Sequence, residues 1–427
     1  MLSKEENELL VRTGPGTPMG KLYRRYWIPA LLPEELPVPD CPPVRIKLLG
    51  EQLIAFRDSE GNVGLLEEYC AHRKVSLYYG QNKECGLRCP YHGWKYDVNG
   101  QCVDLPSEPK GSNLKNSIKL RSYPCKEHGG VIWAYMGPPD EMPGLPELEW
   151  AMVPENQTYA NKRIQRNNYM QAMEGGIDSS HVSFLHSDFS LWKPSLKISF
   201  FQKVLDDAAP SFFVEPTDYG LLIGARRETQ EDQYYWRITQ WLFPWYTMIP
   251  ANNNESIGGH AFVPIDDENC FTWTFRYHPT RPLTKEELYS LQKGKMEVMA
   301  LIPNTYLPVQ NLENDYLIDR DLQRTVSLSG IKGAAAQDQA MQESMGPIVD
   351  RSTERLGTSD TAVITVRRLL MRAAREEAAG SGSHPPGLDP CTQRVRSASA
   401  VLSKDESWIE ATQEARRATA TLNASQS

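Results

Sequence analysis

Cys70-Ala71-His72 and, seventeen residues on, Cys89-Pro90-Tyr91-His92-Gly93-Trp94 decide how this chain is read. One C-x-H and one C-x-x-H place a thiol and an imidazole in each of two short segments. Each segment can therefore supply a ligand to both ends of a bridged two-iron cluster, in which two thiolates hold one iron and two imidazoles the other. A structural zinc with two Cys and two His groups like ligands together, as C-x-x-C and H-x-x-x-H, and has no need of the alternation. The chain holds only 8 Cys and 8 His among 427 residues, so two close mixed pairs are a poor fit to chance. The ranking is a two-iron cluster first, zinc second, coincidence last.

The ligand pattern, with the flanking Arg73 and Gly93-Trp94, resembles the Rieske [2Fe-2S] domain of bacterial ring-hydroxylating oxygenases. The remaining sequence is consistent with a cytoplasmic enzyme. Hydrophobic content of 40% and charged content of 23% are ordinary for a soluble globular protein. A net charge of -8 without a basic run argues against nucleic acid as a partner. No apolar run approaches a membrane span, and the opening MLSKEENELLVR is acidic, unlike a signal peptide. In a reducing compartment Cys41, Cys85, Cys102, Cys125, Cys270 and Cys391 are expected as free, mostly buried thiols.

Local signals divide the chain into four parts. Residues 1–43 read as an N-terminal helix and an extended segment. Ser3 and Glu6 form a capping-box pattern, and GPGTP at 14–18 ends the helix. Residues 44–140 read as a small antiparallel β domain: VRIKLLG, EQLIAFRD and VGLLEEY, then KYDVNGQCVDL turning at Asn99-Gly100, then GGVIWAYMG. The ligand pairs fall in its loops. A proline-rich crossing from Pro138 to Pro146 leads to residues 141–390, a larger domain with strand and then helix over 161–187. Alternating strands follow at LKISFFQKV, FFVEP, YGLLIGARRE, YYWRITQWLF and NCFTWTFRYH. Helices are expected at Thr284–Leu301, Ala334–Val349 and Thr361–Ala379. Residues 391–427 read as a polar tail wrapping the surface or partly disordered. The fold class is α+β: a β domain followed by a catalytic domain whose antiparallel sheet is flanked by helices.

A second metal site is suggested by Asp178-Ser179-Ser180-His181 and His186. A spacing of five separates the two His around a regular helix, so a site using both needs a distorted helix or a helix end. Asp178, three before His181, is placed to hold that imidazole by hydrogen bond. Two His this close are a weak signal by themselves, but a one-electron cluster needs a destination. A two-His-one-carboxylate iron with open positions suits O2 chemistry. The third ligand should be a distant acid: Asp315, Asp319, Asp321, Asp338 or Glu343. Residues 315–321 form a dense charge run, whereas Asp338 opens a helix with few other charges, and Asp338 is preferred.

The run 167–186 is similar to the mononuclear-iron segment of Rieske oxygenases. That resemblance implies His181, His186 and Asp338 as ligands of a mononuclear non-heme Fe(II). It also implies Asp178 as the acid linking a cluster His of a neighbouring subunit to an iron-bound His. The resemblance spans roughly residues 5 to 400 and favours the phthalate 4,5-dioxygenase-like branch. GPGTPMG (14–20), QCVDLPSEP (101–109), AQDQAMQESMGPIVDR (336–351) and LGTSDTA (356–362) carry it. It implies homotrimers or stacked trimers, O2 as co-substrate and an aromatic carboxylate as substrate. It further implies electrons from a separate flavin and iron–sulfur reductase that uses NADH; the chain has no G-x-G-x-x-G fingerprint of its own. The expected reaction is ring dihydroxylation, with O-demethylation as the alternative and pure electron transfer as a second. Arg237, sharing a strand face with Tyr235 and Thr239, is the candidate for binding a substrate carboxylate, the alternative being an exposed strand charge.

Overall fold

In the computed structural model, residues 1–187, 200–229, 232–250, 255–295, 298–380, 382 and 384–419 are described. The N-terminal helix Lys4–Val11 carries the full capping box, with Ser3 accepting from the Glu6 amide and Glu6 accepting from the Ser3 amide. Three small antiparallel sheets follow. Val44–Leu48, Glu51–Arg57 and Val63–Glu67 form one. Gln81–Asn82, Leu87–Arg88, Lys95–Tyr96 and Cys102–Asp104 form the second. Trp27–Leu31 pairs with Val131–Tyr135, which pairs with Cys125–His128. The segment 1–43, expected as an extension, thus contributes a strand to this β domain. Short side chains set its turns: Asp58 accepts from the amides of Glu60 and Asn62, and Asp97 from those of Asn99 and Gln101.

The larger domain is built on one antiparallel sheet. Its strands run in the order Thr158–Gln165, Cys270–Tyr277, Ile257–Pro264, Tyr246–Ile249, Gln233–Leu242, Gly220–Glu228 and Ser211–Pro216. An eighth strand, Ala398–Ser403, pairs with Gln233–Ile238 beside the shorter Tyr246–Ile249. It comes from the segment expected as a surface tail. Apolar alternation marks it too weakly, because four of its six residues are Ala or Ser. Its burial is completed by Trp408, which stacks on Trp236 at 5.0 Å.

Three other expectations change. Phe200–Asp206 is a helix, so the strand expected from 196 to 204 is absent where it is described, and residues 196–199 lie outside the described residues. Val204 of that helix is buried against Val182 and Tyr235. The helix expected over 284–301 is Lys285–Gln292, ended by Gly294 at φ +63, and that expected over 334–349 is Ala334–Ser344, stopped before Gly346-Pro347. One core of Leu10, Trp133, Trp150, Tyr169, Trp241 and Trp273 runs through both domains.

The helix Tyr169–Ile177 lies between the sheet and the helix Ala334–Ser344. A Cβ at Gly175 would meet Gln342 Nε2 at 2.2 Å, and one at Gly176 would meet Phe262 at 2.8 Å. Glycine at both positions allows this close approach, which brings the end of one helix to the side of the other.

Candidate active site

The two cysteine loops are closed by their own backbone. Cys70 N donates to Val75 O at 2.9 Å and Lys74 N to Cys70 O at 3.0 Å; Cys89 N donates to Trp94 O at 2.8 Å and Gly93 N to Cys89 O at 3.0 Å. Gly93 has φ +78, and a Cβ there would meet Pro106 at 2.5 Å. These tight loops bury Cys70 and Cys89, leave His72 exposed and His92 half-buried, and keep the two thiols unlinked. The imidazoles of His72 and His92 lie 4.4 Å apart, and Trp94 stacks on His72 at 4.5 Å. The Tyr96 hydroxyl sits 3.2 Å from Cys70 Sγ and accepts from the Ala71 amide. A buried thiol pair beside a solvent-facing imidazole pair is a donor set that fits a [2Fe-2S] cluster held asymmetrically.

The second cluster of ligating groups is assembled from distant segments. The helix Tyr169–Ile177 stops at Asp178, and His181 opens a 3₁₀ turn, His181–Ser183. Both His therefore lie beyond the helix end, and the spacing of five is no obstacle. Asp178 Oδ2 lies 3.1 Å from His181 Nδ1, while the same carboxylate accepts from the Ser180 and His181 amides. His186 Nδ1 lies 2.7 Å from Gln337 Oε1. Gln337 Nε2 donates to Ile331 O at 3.0 Å, which turns the amide oxygen towards the imidazole. Each His thus presents Nε2 to Asp338 Oδ1, at 3.5 Å for His181 and 3.1 Å for His186. One ligating atom from each of the three residues falls within 4.8 Å of the others. Burial alone would raise the Asp338 carboxyl, but attraction to His186, its hydrogen bond and His181 prevail and bring it down to about 2. Two imidazoles and one carboxylate on one side of a point fit a divalent iron with open positions.

Of the other acids, Asp319 caps the helix Arg320–Thr325, Asp321 pairs with Arg324, and Asp315 lies on an exposed left-handed turn. Glu343 is buried and accepts from the Arg166 amide, Gln339 and the Tyr316 hydroxyl.

Two family descriptions match the chain. Residues 26–124 match the family described as Rieske [2Fe-2S] domain, and residues 134–427 match that described as LigXa C-terminal domain like. Over 407 residues the chain is 40% identical to the 3-chlorobenzoate-3,4-dioxygenase oxygenase subunit of Comamonas testosteroni, covering 92% of this chain and 93% of that protein. The chain belongs to the Rieske oxygenases. This oxygenase is also 39% identical, over 415 residues, to the phthalate 4,5-dioxygenase oxygenase subunit of Pseudomonas putida, covering 96% and 94%. The terminal oxygenase of carbazole 1,9a-dioxygenase from Nocardioides aromaticivorans IC177 shares its fold. Their TM-score is 0.59 at 18% identity, over 87% of this chain and 98% of that one.

His181, His186 and Asp338 of the oxygenase sit where an inner cavity of about 180 Å³ meets an outer groove. Asp178 lines both spaces. The inner cavity is walled by the sheet, with Arg163, Arg237, His260 and Arg276 among its polar residues. Arg237 is half-buried and lines it beside Thr239 on the same strand face. Burial and the nearby Arg163 push His260 down to about 3, so it is neutral at physiological pH. Among the described residues no helix is long and apolar enough to cross a membrane. Sequence reasoning missed Gln337, Arg163, His260 and Arg276. Gln337 adjoins Asp338 in sequence, and its polarity on a buried helix face was the available signal.

Proposed function

We propose that this Rieske oxygenase is the terminal component of a system that hydroxylates an aromatic carboxylate, using O2 and electrons delivered by a separate flavin and iron–sulfur reductase from NADH. The observation that carries the reading is the cation-walled cavity opening onto the convergence of His181, His186 and Asp338. The chlorobenzoate and phthalate dioxygenase subunits, both named for aromatic acids, support it.

In this reading Cys70, His72, Cys89 and His92 hold the [2Fe-2S] cluster, and His181, His186 and Asp338 hold the iron. The iron supplies O2 binding and activation at its open positions. The protein's own residues do the rest. Asp178 and Gln337 keep both imidazoles in the tautomer that turns Nε2 inward. The sheet wall sets which edge of the ring is presented. The lining of Phe262, Ile249 and Val182 limits water. Asp178 also faces the outer groove, where Phe184, Leu328, Met341 and Met345 are exposed. A cluster of a neighbouring subunit docked there through His72 or His92 would reach Asp178, which suits a cytoplasmic homotrimer or stacked trimers.

Turnover with a coupled reductase against a panel of aromatic acids tests the function by product mass. Gain of two oxygens marks ring dihydroxylation. Loss of a methyl with formaldehyde marks O-demethylation, the second reading, which the 31% identity to the 5,5'-dehydrodivanillate O-demethylase oxygenase subunit favours. No product from any aromatic acid would sink both. Single-turnover reoxidation of the reduced cluster, with substrate and O2 present, tests the bridge. Asp178→Asn should keep both centres but slow electron passage steeply, since an amide cannot accept from two imidazoles as a carboxylate can; a wild-type rate would rule it out.

A further inference from the structure

Arg163 sits in the strand Thr158–Gln165, opposite Thr272, on the wall of the inner cavity, and is only 6% exposed. Its Nε donates to Gln339 Oε1 at 2.9 Å, and Gln339 is itself fixed by donating to Glu343 at 2.8 Å. Among the described residues the Arg163 side chain makes no other hydrogen bond, and no carboxylate oxygen lies within 4.0 Å of its nitrogens. The other deeply buried cations of this domain are matched. Arg351 and Arg367 share Glu174, Lys162 meets Glu35 at 2.6 Å, and Arg396 meets Glu149. Arg227 uses all three of its nitrogens, donating to Ser179 and to the carbonyl of Asp207.

A buried guanidinium with two idle nitrogens is unfavourable unless an anion completes it. Its neighbours do not. Arg237 is engaged by the Tyr235 hydroxyl, and Arg276 donates to Ser256 O at 2.8 Å with its guanidinium over Gly258. His260 offers a neutral ring. Asp338 is committed to the two imidazoles. Glu255 also lines the cavity and acts on Arg276, and Glu343 is held by the Arg166 amide, Gln339 and Tyr316. Among the described residues the terminal nitrogens of Arg163 therefore have no carboxylate in contact.

We infer that Arg163 is the specificity-determining anchor of the cavity, its terminal nitrogens gripping the carboxylate of the substrate in a two-bond, charge-assisted contact. This rests on the aromatic-acid reading and moves the carboxylate contact from Arg237 to Arg163. The contact fixes one end of the ring and so selects which carbons are turned towards His181, His186 and Asp338.

The test is calorimetric binding of benzoate and of neutral benzamide to the full-length resting enzyme, with iron content and the cluster spectrum as controls. Arg163→Met should weaken benzoate about 10- to 100-fold, the worth of a hydrogen bond to a charged group, and change benzamide less than about twofold. In turnover KM should rise more than kcat falls. Equal loss for both ligands, or an unchanged benzoate affinity, would overturn the anchor while leaving the aromatic-acid reading intact. Wild-type enzyme that binds benzoate no better than benzamide would instead overturn the reading, and the anchor with it. If Arg163→Met loses its metals, Arg163→Lys decides. It keeps the charge without the fork, so benzoate affinity should fall between the two, and a wild-type affinity would overturn the proposal.

Discussion

The two metal-ligating regions are built in opposite ways. The cysteine loops lie within 25 residues of one another, each closed by hydrogen bonds across its own cysteine. The His181–His186–Asp338 cluster joins a broken helix end to a helix more than 150 residues downstream, with Gln337 Oε1 reaching His186 across that separation. The first is a local device whose geometry its own turns impose. The second exists only when the sheet and both helices have packed. A centre of the first kind should therefore be insensitive to changes in the catalytic domain, and a centre of the second kind sensitive to its neighbours.

The largest expected effect tests that independence directly. Asp338→Ala should abolish turnover and lower iron by one per chain while the Rieske EPR signal of reduced enzyme stays unchanged. Full iron and activity in this variant would identify the wrong carboxylate, and Asp315, Asp319 and Asp321 would be tested next. The converse is His92→Ala: the Rieske signal should vanish, with the protein soluble and the mononuclear site still able to take Fe(II). A colourless wild-type protein with stoichiometric zinc would remove the basis of the comparison.

A smaller effect sharpens it. Gln337→Leu removes the acceptor that holds His186, so Fe(II) affinity, measured against a competing chelator, should fall by about 10- to 100-fold. Gln337→Glu, which restores an acceptor, should recover most of it. No change in Gln337→Leu would mean that packing alone orients His186. The smallest effect belongs to the local centre. With Cys70 as a thiolate, the Tyr96 hydroxyl must be the donor of their contact, and it stabilises the more negative, reduced cluster. Tyr96→Phe should lower the cluster potential by on the order of 50 mV, near a tenfold change for one electron. The reading in protein-film voltammetry should move down and never up.

The same contrast explains what could be read beforehand. The C-x-H and C-x-x-H spacing carries its own geometry, and turns such as Asp97 to Gln101 announce themselves through side chains that bond their own backbone. Asp338 was separable from its rivals because its segment lacks competing charges. Gln337 and Arg163 were not legible. A buried amide and a strand arginine acquire meaning only from partners far away in the chain, Gln339 and His186. The helix at 200–206 was misread because a short apolar run fits either period, and packing under Tyr235 decided it.

The strand Ala398–Ser403 has a consequence for how the enzyme is made. Arg237 and its neighbours on Gln233–Ile238 find their edge partners in residues that leave the ribosome well over a hundred positions later. Until Ser403 has emerged, that edge carries unanswered amides and carbonyls, and Trp236 lacks its cover from Trp408. The β domain carrying the cysteine loops can close much earlier in synthesis. The catalytic wall is therefore a late, post-elongation event, and nascent chains stalled before residue 398 should be cleaved by protease in the Gln233–Leu242 region while their cysteine loops resist. Tags or fusions that pull on the end of this chain act on the active-site wall, distant as they look in sequence.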